Sequence, residues 1–291
     1  IRTADAIELF RRCGLKDKAL LIETVGMAYT AYYEMDGYID YFYGALVPSS
    51  GYIHLFDLIP YEDGVLLQIP KRDDPNQLDG MVPQRKMFNA YKEHLTLQRM
   101  LGLNYVGDLN KVTELGKAQD IVMVSEARQE KQIANIAEEI AERYKNGIRI
   151  VLISGPSSSG KTTFSKRLSV QLMTNGLKPV SISLDDYFVD REKTPLGVNG
   201  EYDFESLYAL DLDFFNEQLQ ACLMGNEIEL PRFNFTTGKR EFNGDKLQLG
   251  DHTILILEGI HALNPELTQH IPDDNKYKIY VSTLTTISLD D

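Results

Sequence analysis

Tryptophan is absent from these 291 residues, and cysteine occurs only twice, at Cys13 and Cys222. Two thiols so far apart build neither a disulfide framework nor a zinc pattern; they fit a reducing, cytoplasmic setting. No apolar run approaches the ~20 residues needed to span a bilayer. Basic charge is in short supply, with 30 Lys and Arg against 43 Asp and Glu and a formal net charge of −13. Residues 1–146 carry 17 basic and 22 acidic side chains, and residues 147–291 carry 13 and 21. Neither half has a dense basic run, which argues against broad binding to nucleic acid or anionic membranes. His54 and His94 have no HxxxH or CxxH partner, so each reads as a packed or surface histidine rather than a metal ligand.

The length suits one large domain or two ordinary ones. The chain begins with Ile1 rather than Met, which we read as a fragment or processed chain, so no signal peptide can be judged.

What the chain does contain is a phosphate loop. The run Ile148–Ser154 is apolar and leads into Gly155-Pro156-Ser157-Ser158-Ser159-Gly160-Lys161-Thr162. Thr163 to Leu172 follows with helical spacing. Strand, glycine loop and helix joined by G-x-x-x-x-G-K-[ST] form an anion cradle: loop amides and the helix N-terminus face a phosphate. Lys161 can reach the outer phosphates, and Thr162 can offer its hydroxyl to Mg2+. Residues Gly155 to Thr163 are therefore candidate ATP-binding positions. No Asn-Lys-x-Asp guanine motif occurs, which disfavours a GTPase.

Around this stretch the pattern divides. Thr3 to Gly14 reads as a short helix with Thr3 as N-cap. Leu20 to Leu67 is crowded with aromatic and β-branched residues and punctuated by Asp36-Gly37, Pro48-Ser49-Ser50-Gly51 and Glu62-Asp63-Gly64; this predicts short antiparallel strands. Lys71 to Pro83 reads as a loop and Gln84 to Leu101 as a helix. Ser125 to Tyr144 carries Ile133, Ile136, Ala137, Ile140 and Tyr144 on one stripe, with Ser125 as N-cap. That stripe predicts packing on the phosphate-loop half; an oligomer contact would give the same pattern.

After the loop helix, strands are predicted at Pro179–Leu184, Thr253–Leu257 and Lys276–Ser282, a helix at Leu210–Met224 and a hairpin within Glu227–Leu249. Alternating strands and helices predict an α/β fold, a parallel sheet of P-loop NTPase type with flanking helices, preceded by a smaller α+β domain. The expected divisions are residues 1–124, a linker helix 125–146, and 147–291. Ligands of such sheets sit at the carboxyl ends of the strands, where Lys161, Asp185 and Glu258 all fall. Phosphoryl transfer needs a group to take the acceptor's proton; Asp185 is the candidate, and its neighbour Asp186 competes for the role. Glu258, ending an apolar strand, is the candidate to hold Mg2+ with Thr162.

From Ile148 to Asp291 the chain resembles the uridine kinase and phosphoribulokinase family. The likeness rests on the phosphate loop, on Ser183-Leu184-Asp185-Asp186-Tyr187-Phe188, on Tyr202-Asp203-Phe204-Glu205, on Pro231-Arg232-Phe233-Asn234-Phe235 and on Leu257-Glu258-Gly259-Ile260. The resemblance implies that Asp185 is the catalytic acid position, that Glu258 lies near magnesium, and that Phe188, Phe204, Glu205 and Phe233, with Asp186 beside them, border an acceptor nucleoside. The chain departs from the family at Glu205-Ser206-Leu207, at Phe233 and at Gly238, where relatives place hydrogen-bonding groups for the pyrimidine. It also implies an arginine-bearing lid after Asp291, without which residues 1–291 alone should turn over weakly or not at all.

Earlier, Asp40-Tyr41-Phe42-Tyr43-Gly44 through Phe56-Asp57-Leu58-Ile59-Pro60-Tyr61 is similar to the extension before some bacterial nucleoside kinases, related to the accessory domain of threonyl-tRNA synthetase. The metal motif of the editing enzymes is missing. The expected function is ATP-dependent phosphorylation of a small-molecule hydroxyl, of uridine, cytidine or a related nucleoside. The alternatives are a kinase of another sugar or alcohol, and an ATP-binding regulator whose first domain senses a ligand or RNA.

Overall fold

The computed structural model describes residues 1–283 and 287–291, which fall into two compact units. The first contains residues 1–121 with the terminal residues 287–291, and the second begins at Val122.

The first unit opens with α1 (Thr3–Arg12) and α2 (Lys16–Val25). The N-cap of α1 is Arg2, without a side-chain bond; Thr3 lies inside the helix, its Oγ1 3.1 Å from Thr30 Oγ1. The strand expected from Leu20 is instead the second half of α2. An apolar run such as Leu20-Leu21-Ile22 suits either state. Here Lys18, Ala19, Leu21 and Ile22 form a buried helical face, and Gly26 ends the helix at φ 75°. Two separate antiparallel pairs follow, β1 (Tyr33–Met35) with β2 (Tyr38–Asp40), and β3 (Asp57–Tyr61) with β4 (Gly64–Gln68). Then come α3 (Arg85–Leu101) and α4 (Val106–Glu114), the latter not foreseen. Ala6, Phe10, Ala19 and Ile22 form the small core. Lys18, also buried, is paired with Asp40 at 3.0 Å and Asp290 at 3.1 Å.

Helix α5 runs from Ala118 to Lys145. Ser125 is interior to it, not its N-cap: residues 118–124 contain neither Gly nor Pro, so nothing stops the helix from starting earlier. In the second unit, β5 (Ile150–Ser154), α6 (Lys161–Thr174), β6 (Lys178–Ser183), α7 (Leu212–Leu223), the hairpin β7 (Ile228–Asn234) and β8 (Lys239–Leu247), β9 (Thr253–Glu258) and β10 (Lys276–Tyr280) complete the order. The sheet is parallel, in the order β10-β5-β9-β6. Its two inner strands, β5 and β9, are apolar on both faces, as strands covered on two sides require. Val151, Ile153, Ile254 and Ile256 meet Ile133, Ala137 and Ile140 of α5 and Leu168 and Leu172 of α6. Ile150, Leu152, Leu255 and Leu257 meet Phe215 and Leu219 of α7. The α5 stripe thus packs on the sheet of its own unit. Cys222 is buried in the α7 layer, and burial pushes its thiol up to about 11.

Register decides where the site lies. Glu258 is paired with Ser183 on one side and Ile153 on the other. β5, β9 and β6 therefore end level, and the residues that follow them share one end of the sheet.

Candidate active site

Between β5 and α6 the chain makes a tight loop. Ser158 and Gly160 both have positive φ, at 60° and 89°. Such a conformation turns successive N–H groups to one side. Gly155 cannot carry a side chain: an added Cβ would stand 2.1 Å from the Val281 carbonyl oxygen and 2.8 Å from Ser159 Oγ. Gly160 is the N-cap of α6 and offers no capping side chain, so the first amides of the helix open into the loop. Ser159 Oγ is buried and has no hydrogen-bond partner among the described residues, a polar atom suited to a ligand in the loop. Lys161 Nζ donates to the Gly155 and Pro156 carbonyls at 3.0 and 2.9 Å, which holds the ammonium across the loop.

Thr162 Oγ1 donates to Glu258 Oε1 at 2.7 Å. This joins the first turn of α6 to the end of β9. An oxygen pair of this kind suits Mg2+, which is bound by one or two protein oxygens and completes its shell with phosphate and water. Among the described residues no cluster of three or more His, Cys, Asp or Glu forms a self-sufficient metal cage.

Asp185 and Asp186 lie on a single 3-10 turn after β6. Sequence does not separate them, and their contacts in the structure differ. Asp186 accepts from Arg232 Nη1 and from the Phe233 amide, each at 3.2 Å, and so is committed to the β7–β8 hairpin. Asp185 makes no such bond among the described residues and keeps an open face to solvent. Partial burial, then the Glu258 carboxylate and also Asp186, push its carboxyl above the usual range; Lys161 and His261 oppose that rise. Gly259 explains the close spacing of the acids, because its Cα lies against Leu184; an added Cβ would meet Leu184 Cβ at 2.8 Å.

Beside the acids stands a cluster of rings. Phe188 and Phe233 are buried with centroids 5.5 Å apart, and Phe235 is 5.1 Å from Phe233. Phe204 is 6.5 Å from Phe188 and, at 42% exposure, forms the open side. A cavity of about 580 Å³ adjoins it, lined by Leu196, Gly200, Glu201, Tyr202 and Phe204. Glu205 points its carboxylate to solvent, while its carbonyl is 2.8 Å from His261 Nε2. Gly238 has φ 69°, and Arg191 fills the space above it, 2.8 Å from where a Cβ would be. Arg191 also donates to the Phe235 carbonyl. A hydrogen-bonding side chain at 238 is therefore excluded by packing.

His261, Arg191, Phe235 and Tyr202 were not among the residues singled out from sequence. Phe235 and Tyr202 stood within the segments that carry the resemblance. His261 follows Glu258 by three residues, a proximity that could have drawn attention to it. Arg191 had no local signal.

With this geometry in view, comparison with known proteins is informative. The model of the Phosphoribulokinase / Uridine kinase family matches residues 150–290. Uridine kinase of Schizosaccharomyces pombe is 32% identical over 130 residues, covering 43% of this chain and 27% of that protein. Uridine kinase of Ureaplasma urealyticum is 26% identical over 135 residues, covering 46% of this chain and 62% of its own. A solved structure described as a possible uridine kinase from Bacillus stearothermophilus is 24% identical, covers 53% of this chain and 80% of that one, and overlaps with a TM-score of 0.44. The chain spans less than two thirds of the length of these curated relatives. The matched span, residues 150–290, contains both the phosphate loop and the acid-tipped parallel strands and is similar to the phosphoribulokinase / uridine kinase family.

Proposed function

We propose that the second unit transfers the terminal phosphoryl group of ATP to a hydroxyl of a small molecule, the 5′-hydroxyl of uridine, cytidine or a related nucleoside. The observation that carries this reading is the placement of Asp185. Among the described residues it has no hydrogen-bond or ion-pair partner, and it stands at the same end of the sheet as the Thr162–Glu258 pair, with the ring cluster beginning three residues later at Phe188.

In this reading the loop amides and Lys161 hold the phosphates, and Phe188, Phe233 and Phe204 receive the flat part of the acceptor. Thr162 and Glu258 would hold Mg2+, which neutralises charge on the transferring phosphate. Asp185 accepts the hydroxyl proton as the new P–O bond forms and the bond from the γ-phosphorus to the bridging oxygen breaks, with ADP as the leaving group. A carboxyl held above its usual range is a better proton acceptor than a free one, provided it is ionised. The family match and the uridine kinase relatives support the reaction class.

A second reading keeps the reaction and changes the acceptor to another alcohol. It is favoured by Gly238, where packing against Arg191 leaves no room for a side chain to read a base. A site that lacks such a group loses discrimination between acceptors. The test is ATP consumption by the full-length protein against nucleosides, sugars and small alcohols. Turnover with uridine or cytidine supports the first reading, and turnover with a different alcohol supports the second. ATP binding without transfer to any of them contradicts both.

A further inference from the structure

Residues 195–205 form a loop that carries Tyr202 and Phe204 to the mouth of the ring cluster. It is not held by burial: Leu196 is 65% exposed, and Tyr202 and Phe204 are 43% and 42% exposed. Its hydrogen bonds are largely its own. Gly197 N donates to Glu201 O, Gly200 N to Gly197 O, Asp203 N to Pro195 O, and Glu205 N to Asp203 Oδ1. Among the described residues, one hydrogen bond ties residues 195–205 to an element remote in sequence. That bond is the 2.8 Å contact between the Glu205 carbonyl and His261 Nε2. A carbonyl can only accept, so Nε2 carries the proton, which fixes the orientation of the ring.

The other end of this tether is rigid. Ser154 Oγ, at the end of β5, donates to the Ile260 carbonyl at 2.7 Å. Gly259 N donates to Ile153 O at 3.1 Å, and Asn264 N to His261 O at 2.8 Å. The backbone of His261 is thus fixed to the strand that leads into the phosphate loop.

We propose that His261 is a positioning residue that holds the 195–205 loop at a set distance from the acid edge, and so sets the fit of the acceptor. The role in acceptor fit rests on the phosphoryl-transfer reading; the tether itself does not. Side chains held by anchored second partners position reacting groups better than side chains on free loops.

The test is amide hydrogen–deuterium exchange of the full-length protein as wild type, His261→Ala and His261→Gln. Losing this hydrogen bond should raise exchange in residues 196–206 by roughly tenfold, while residues 150–154 and 253–257 stay protected. Gln can present an amide N–H to the same carbonyl and should restore the wild-type rate. Wild-type exchange in the Ala variant overturns the proposal. So does loss of protection in 150–154, which would make His261 a core prop, or a Gln variant that behaves like Ala. With uridine as acceptor, the Ala variant should raise the acceptor KM roughly tenfold and leave the ATP KM unchanged. An equal rise in both contradicts the proposal. Absence of uridine turnover in the wild type counts against the proposed acceptor, and the exchange result then decides the tether alone.

Discussion

Thr162 Oγ1 lies 2.7 Å from Glu258 Oε1, and the two residues are 96 positions apart in the chain. The bond links the helix that follows the phosphate loop to the end of β9. If this pair holds Mg2+, Thr162→Val and Glu258→Gln should each raise the Mg2+ concentration for half-maximal ATP binding by about 10- to 100-fold. Titration of ATP affinity against Mg2+ measures this, and unchanged midpoints in both variants would remove the pair from the metal site.

Gly155 gives a second prediction. Its α-hydrogen faces the Val281 carbonyl, with 2.1 Å to where a Cβ would sit. The obstacle is backbone, which cannot swing away as a long side chain can. Gly155→Ala should destabilise the second unit by about 1–3 kcal/mol or more and weaken ATP binding together with it. Denaturant unfolding and ATP titration check both, and a variant with wild-type stability would contradict the packing described.

The ring cluster separates stability from recognition. Phe233 is 8% exposed and touches Phe188 and Phe235, whereas Phe204 is 42% exposed. Phe233→Ala should cost about 3–5 kcal/mol of stability. Phe204→Ala should change stability by no more than about 0.5 kcal/mol yet raise the acceptor KM. A Phe204→Ala variant with an unaltered acceptor KM would take Phe204 out of the acceptor site.

Asp185 carries a pH prediction. Its folded carboxyl is raised above the unfolded value by burial and by Glu258 and Asp186, against Lys161 and His261. Protonated Asp185 is favoured by folding, so its stabilising contribution is full below the unfolded pKa, about 3.9, and is lost as pH rises through the higher folded pKa. Asp185→Asn has no such loss. Its melting temperature should exceed wild type near pH 7, and the gap should close toward pH 4. A gap that widens on acidification would reverse the sign of the shift.

Much of the second unit was legible because its signals are local. The phosphate loop is contiguous, β5 and β9 are apolar on both faces, and Glu258 ends an unbroken apolar run. Asp185 and Asp186 could not be told apart because the distinction rests on Arg232 and Phe233, 46 and 47 residues away. The role of His261 was hidden for a similar reason: its place three residues after Glu258 is a local signal, but its partner Glu205 is 56 residues earlier. In the first unit, Leu20-Leu21-Ile22 is equally good as strand or helix, and packing against α1 and α4 settled it. Helix α5 began before Ser125 because a good N-cap residue does not oblige a helix to start there.

The central claim is that Asp185 takes the acceptor's proton while the phosphate loop holds ATP without its help. The most direct measurement is transfer of the γ-phosphoryl group from ATP to acceptor by wild type and Asp185→Asn, with ATP affinity measured on the same samples. The account predicts a loss of transfer of about 10²- to 10⁴-fold, with ATP affinity nearly unchanged. Transfer by Asp185→Asn at the wild-type rate would contradict it.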